Sequence, residues 1–247
     1  MSTPAAADPW RELRASTQAR IGLGRAGVGL PTSAVLALTS SLAWARDAVH
    51  LPLEPDTLLP GLRELGLGEP VLVQSRAPER GTYLRRPDLG RLPADLDAVP
   101  TGTWQVGLVI ADGLSSKAVA EHAVAQASAL VEALDGLTIA PPVVVTQARV
   151  AIGDWIGQRL GVDTVLVLIG ERPGLSVADS LGIYLTHEPR PGRSDAERNC
   201  ISNIHPPEGL GYEAAAATAA RLVRGARALG RSGVDLKDTD SPSEVTS

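Results

Sequence analysis

Phenylalanine is absent from this 247-residue chain, and aromatic side chains of all kinds make up only 3% of it. A core without large rings falls to Ala, Leu and Val, short side chains that favour helices packed on parallel strands. Cysteine occurs once, as Cys200, which excludes an intramolecular disulfide and suits a reducing cytoplasm. Four scattered histidines and one cysteine exclude a conventional structural zinc cluster, and no metal site is expected. Excess positive charge is also missing. The formal net charge is −5, so no nucleic-acid partner is expected, because a phosphate backbone is met by a basic face. No apolar run is long enough to span a bilayer, and no membrane partner is expected. The opening MSTPAAADPW lacks the basic stretch and apolar run of a secretory signal.

The first quarter of the chain reads as helical. Asp8 and Pro9 suit the cap and first position of a helix running to Ile21. Gly22 to Gly29 breaks it, and Pro31 and Thr32 open a second helix. Val35, Leu38, Leu42, Ala45 and Val49 recur there at helical spacing, and Pro52 and Pro55 end the run. A short helix is expected over Leu58 to Leu65. Val71 to Gln74 reads as a strand, and Gly81 to Pro100, rich in Pro, Arg and Asp, as ordered loop.

A regular alternation follows. Strands are expected at Val106–Ala111, Pro142–Thr146 and Thr164–Ile169, with a further one at Leu181–Thr186. Helices are expected from Ser115 or Ser116 to about Leu134, from Ile152 to Leu160 with Gly161 ending it, and from Glu213 to Leu229; the polar tail after Gly230 is expected to fray. Continuously apolar strands separated by helices argue for a parallel sheet buried on both faces. Right-handed crossovers bring every strand-to-helix loop to one edge, where such sheets take their ligands. That edge gathers Asp112-Gly113, Gln147 to Val150 and Gly170 to Gly174. The organisation expected is a helical N-terminal region over residues 1–66 and an α/β domain over 67–247.

Four motifs invite chemistry. Gly22-Leu23-Gly24-Arg25-Ala26-Gly27 matches the dinucleotide fingerprint, with Asp47 twenty residues on. Those glycines bind pyrophosphate only when they follow a strand and open a helix; here they follow a helix, so the segment reads as a close-packed corner. Cys200, with Asn203 and His205 nearby, resembles a nucleophile set in spacing alone, which does not supply catalytic geometry. Asp112 can cap the next helix, its more common use, or reach a ligand. Glu171 and Arg172 stand directly after a buried strand, where they can meet a ligand or simply the neighbouring loops. No complete catalytic constellation emerges, and no catalytic residue is expected.

Several segments taken in order resemble the small (light) chain of ethanolamine ammonia-lyase. They include Ser16-Thr17-Gln18-Ala19-Arg20, Gly24-Arg25-Ala26-Gly27, Tyr83 to Arg91, Asp112-Gly113-Leu114-Ser115 and Gly153-Asp154-Trp155-Ile156-Gly157. Gly170 to Leu175 and Cys200-Ile201-Ser202-Asn203-Ile204-His205 complete the set, which covers about Asp8 to Gly230. The resemblance implies an α/β, Rossmann-like, mostly parallel sheet flanked by helices. It implies a lyase that converts ethanolamine to acetaldehyde and ammonia with adenosylcobalamin as cofactor. The large (heavy) subunit would be the partner and would hold ethanolamine, while this chain would cover part of the cofactor. The family's cobalamin contacts carry over to Val150, Glu171 and Cys200. Many members carry a long polar extension before the first helix, linked to packing in a bacterial microcompartment. Only a few residues precede that helix here, so a free cytoplasmic enzyme stands beside the encapsulated one. A stand-alone corrinoid carrier is the competing reading. Its D-x-H-x-x-G motif is absent, because Ala48, Ala120, Leu185 and Asn203 stand two residues before the four histidines.

Overall fold

A computed structural model describes residues 8–17 and 19–238. Its centre is a six-stranded sheet in the order β1-β3-β2-β4-β5-β6. The strands are β1 (Val71–Gln74), β2 (Val106–Ala111), β3 (Val143–Thr146), β4 (Thr164–Gly170), β5 (Leu181–His187) and β6 (Asn199–Ile204). β1, β3, β2 and β4 pair in parallel, while β5 and β6 add on in antiparallel fashion. The α/β, mostly parallel architecture follows from the continuously apolar strands: every residue of β2 and β4 is buried.

Helices cover both faces. On one side α5 (Ser116–Ala133) and α7 (Tyr212–Leu229) lie over Leu108, Ile110, Leu166 and Leu168. On the other, α6 (Ile152–Leu160) covers Val109, Val145, Val165 and Val167. Small residues bring α7 close to its neighbours, with Ala215, Ala216, Ala219, Ala220 and Ala226 all buried. Apart from Tyr83, the largest fully buried side chains are Leu and Ile, as a chain without Phe requires. Leu53, Leu58 and Leu62, from the short 3-10 turn Pro55–Thr57 and α3 (Leu59–Glu64), join the α5 side of the core.

Several expectations need correction. The first helix, expected over Asp8 to Ile21, is only α1 (Arg11–Ala15). It buries no residue, so nothing offsets the cost of extending it; Gln18 lies outside the described residues. Gly81–Pro100 is not all loop. It starts within α4 (Arg80–Arg85), which buries Arg80 and Tyr83, and includes a 3-10 turn at Leu89–Arg91. The tail does not fray through residue 238. Ser232 Oγ donates to Glu197 O at 2.6 Å and accepts from His187 N at 2.9 Å, Leu236 is buried, and Arg221 pairs with Asp238. Residues 239–247 lie outside the described residues. The second helix, α2 (Thr32–His50), begins and ends as expected, but it buries only Ala48.

Candidate functional site

Parallel pairing points the ends of β2, β3 and β4 the same way. The helices that follow β2 and β3 leave for opposite faces of the sheet, which opens a crevice at the switch point. A cavity of about 280 Å³ lies there. Gly113 and Leu114 line it from beyond β2, Arg149 and Val150 from beyond β3, Glu171 and Arg172 from beyond β4, and Tyr184 from β5.

The first and third of these loops touch backbone to backbone. Leu114 N donates to Gly170 O at 2.9 Å. A Cβ on Gly113 would sit 2.2 Å from Gly170 O, and one on Gly170 would sit 2.0 Å from Ser115 O. Glycine at both positions is therefore a condition for the crevice to exist.

The middle loop is held from below by Asp112. Its carboxylate accepts from Gln147 N at 2.9 Å and Ala148 N at 2.8 Å, and from Arg80 Nη1 at 2.9 Å. Burial pushes this carboxyl up, while Arg80 and the backbone donors oppose the shift. Asp112 thus neither caps a helix nor reaches the cavity. The cap is Ser115, which accepts from Ala118 N at 3.2 Å. Tyr83 OH donates to Ala148 O at 2.8 Å, and the Arg149 guanidinium stacks 4.6 Å from the Tyr83 ring. These ties, with Gln147 in the left-handed region at φ 56°, set the path of the chain into Val150.

Glu171 is oriented but only partly used. Its Oε2 accepts from Ser180 Oγ at 2.7 Å and from Asn203 N at 3.1 Å. Among the described residues, no hydrogen-bond donor meets Oε1. Asn203 presents its N–H from a left-handed conformation, φ 64°. Cys200 sits on β6 directly opposite Tyr184 of β5 and is exposed. Loss of surrounding water pushes its thiol up, the Tyr184 hydroxyl bonded to it pulls the other way, and Glu171 adds to the rise. A thiol shifted in this direction makes a poor nucleophile. His205 is also unavailable as a base, being buried with Nε2 2.8 Å from Asn203 Oδ1.

Val150 and Glu171 therefore line one cavity, and Cys200 adjoins it through Tyr184. Sequence reasoning missed three supports. Tyr184 is the one half-buried residue of the otherwise buried β5. Arg149 stands beside Val150 in the expected loop. Asp154 and Arg198 form a buried two-pronged ion pair at 2.7 and 2.8 Å, which ties α6 to the start of β6. Asp154 belongs to a motif noted in the sequence, but its partner lies 44 residues away.

The fold is of the α/β class with a mostly parallel sheet, and the crevice lies at its carboxyl edge, where sheets of that class take their ligands. The ethanolamine ammonia-lyase light chain (EutC) family matches residues 7–237, and the chain belongs to that family of lyase subunits. It is 59% identical over 241 residues to the ethanolamine ammonia-lyase small subunit of Rhodococcus erythropolis, covering 97% of this chain and 94% of that one. The small subunit of Azotobacter vinelandii is 49% identical over 246 residues, with 96% and 90% covered. That of Ralstonia nicotianae is 48% identical over 241 residues, with 94% and 88% covered.

Proposed function

We propose that this chain is the small subunit of an adenosylcobalamin-dependent ethanolamine ammonia-lyase and holds part of the cofactor at its junction with the large subunit. The observation that carries the reading is Glu171: a carboxylate fixed through Oε2, with Oε1 unclaimed, on the wall of the switch-point cavity. A corrinoid is rimmed with amide groups that donate hydrogen bonds, and a fixed, half-used carboxylate suits such a donor. Val150, Leu114 and Tyr184 offer apolar surface beside it, and the exposed Cys200 extends that wall. The sheet is used here in the Rossmann-like manner, with residues 67–247 as the cofactor domain and 1–66 as the helical N-terminal region.

Bound adenosylcobalamin supplies radical chemistry through its cobalt–carbon bond. This chain's residues bind and orient: Glu171 takes an amide proton donor, while Val150, Tyr184 and Cys200 exclude water. Ethanolamine is held by the large subunit, which completes the site for release of acetaldehyde and ammonia. No histidine of this chain would be offered to the cofactor's cobalt. In support, His122 bonds Tyr212 at 2.8 Å, His187 bonds Thr164 at 2.9 Å, His205 is buried against Asn203, and His50 ends α2.

Attachment to the large subunit is carried by the outer face of α2. Trp44 is 69% exposed and Leu36 63%, and Trp44, Leu51 and Leu175 rim a further cavity of about 450 Å³. Among the described residues no helix is long and apolar enough to cross a membrane. The reading carries with it a cytoplasmic location, free or within a bacterial microcompartment.

The test is a cobalamin titration of the complex with the large subunit. Glu171→Ala is expected to weaken binding by about 1.5–3 kcal/mol, the scale of a hydrogen bond to a charged acceptor, with little change in melting temperature. An unchanged dissociation constant rejects the assignment.

A further inference from the structure

α2 buries one of its 19 residues, so side-chain packing gives it little hold on the rest of the chain. Its last turn is held by other means. The final carbonyls of a helix have no partner within it, and that end favours a cation. Val49 O accepts from Arg80 Nε at 2.7 Å, and Leu51 O, at the C-cap, accepts from Ser116 Oγ at 2.6 Å. Both donors come from distant segments and both are buried. Each leads on to one wall of the crevice. Arg80 Nη1 donates to Asp112 Oδ2 at 2.9 Å, and the same oxygen accepts from Gln147 N at 2.9 Å. One guanidinium and one carboxylate thus stand between the end of α2 and the loop that carries Val150. The Arg80 guanidinium also lies 4.9 Å from the centre of the Tyr83 ring, and Tyr83 OH donates to Ala148 O, so the same loop is reached twice. On the other side, Ser115, next to Ser116, donates from Oγ to Ala178 O at 2.8 Å. Two residues on, Ser180 Oγ donates to Glu171 Oε2 at 2.7 Å.

We infer that Arg80 and Ser116 are positioning residues through which the seating of α2 on the large subunit and the capture of cobalamin in the crevice favour each other. The inference rests on both the cofactor reading and the α2 reading above. A large subunit covers a helix that its own chain leaves uncovered, and so fixes where Val49 O and Leu51 O stand. Those carbonyls fix Arg80 and Ser116 in turn. Asp112 has no exposed surface, and a close-packed interior passes a displacement on instead of absorbing it. The loop at Gln147 and Ala148 therefore moves with the end of α2. Coupling of this kind is reciprocal: the factor by which assembly tightens cofactor binding is the factor by which the cofactor tightens assembly. Neither Arg80 nor Ser116 lines the crevice or the cavity beside Trp44, so their effect on both passes through these ties.

The experiment uses both subunits, with hydroxocobalamin as the probe. Sedimentation gives the assembly constant with and without saturating hydroxocobalamin, and the ratio of the two measures the coupling. Wild type is compared with the double variant Arg80→Lys/Ser116→Ala. Lysine keeps a cation beside Asp112 but has one nitrogen where Arg80 gives two to separate acceptors. Alanine removes the hydroxyl and suits the first turn of α5. The ratio is expected to fall about fivefold or more, the low end of coupling between sites. A smaller fall overturns the inference, even where the variant melts at a lower temperature, because the ties are then structural alone. Ser116→Thr, which keeps the hydroxyl, should retain a higher ratio than Ser116→Ala, and equal ratios in these two overturn the inference. Should the double variant not fold, Ser116→Ala alone decides: a fall of about twofold or more supports the inference and a smaller one overturns it. A wild-type complex that binds no hydroxocobalamin overturns the cofactor reading, and assembly indifferent to Leu42→Ala/Trp44→Ala overturns the α2 reading. With both of those readings intact, an unchanged ratio in the double variant overturns this inference alone.

Discussion

α2 and α5 are nearly equal in length, at 19 and 18 residues, and both are rich in Ala, Leu, Val and Ser. α5 buries eight of its residues between the sheet and α7, while α2 buries Ala48 alone and leaves Val35, Leu36, Leu42 and Trp44 in the open. Apolar spacing tells a helix that it has a face to cover, but not whether its own chain will cover it. α5 is joined to the strands on either side of it by short connections, so the sheet is its unavoidable neighbour. α2 stands at the end of a glycine-rich corner, where Gly22 packs so tightly on Trp10 that a Cβ would sit 2.2 Å from its ring. The difference separates a region that completes itself from one that presents a surface.

The contrast sharpens most at the buried ties of the self-completed region. Asp154→Ala removes one half of a fully enclosed ion pair and strands Arg198, and is expected to cost about 3–5 kcal/mol. Chemical denaturation measures this, and the double variant Asp154→Ala/Arg198→Met should recover part of the loss. A cost below about 1 kcal/mol would mean the pair contributes little to the hold on β6.

Leu130→Ala on α5 creates a cavity beneath a side chain with no exposed surface, and about 2–5 kcal/mol should be lost. The matching change on α2, Leu42→Ala, removes a side chain 52% exposed. Stability of the isolated chain should then shift by no more than about 0.5 kcal/mol. Association with the large subunit should weaken instead, as followed by sedimentation or light scattering. Equal destabilisation by the two substitutions would break the comparison. Intact assembly in a Leu42→Ala/Trp44→Ala variant would move the docking surface away from α2.

Where the candidate residues lie was largely legible because it follows from chain order. Val150 and Glu171 each lie just past a buried apolar strand, and parallel pairing leaves such loops no other edge to occupy. Cys200 was different. Its strand shows only Ile201 and Ile204 buried and has no clear alternation, so nothing local marks it as a strand. Pairing with β5 in the antiparallel sense creates it and sets Cys200 against Tyr184. Asp112 was read as a cap or a ligand contact, since both uses are local; its actual partners, Arg80, Gln147 and Ala148, are more than 30 residues away.

The sequence by itself determined the parallel core, the edge at which its loops gather, and the need for short side chains within it, because apolar run length and turn residues act over a few neighbouring positions. Tertiary structure alone decided that β5 and β6 run backwards and that α2 stays uncovered. It also brought Arg80 and Ser116 to the end of α2. Those outcomes depend on which distant surfaces meet, and packing and charge pairing at long separation leave no periodic trace along the chain.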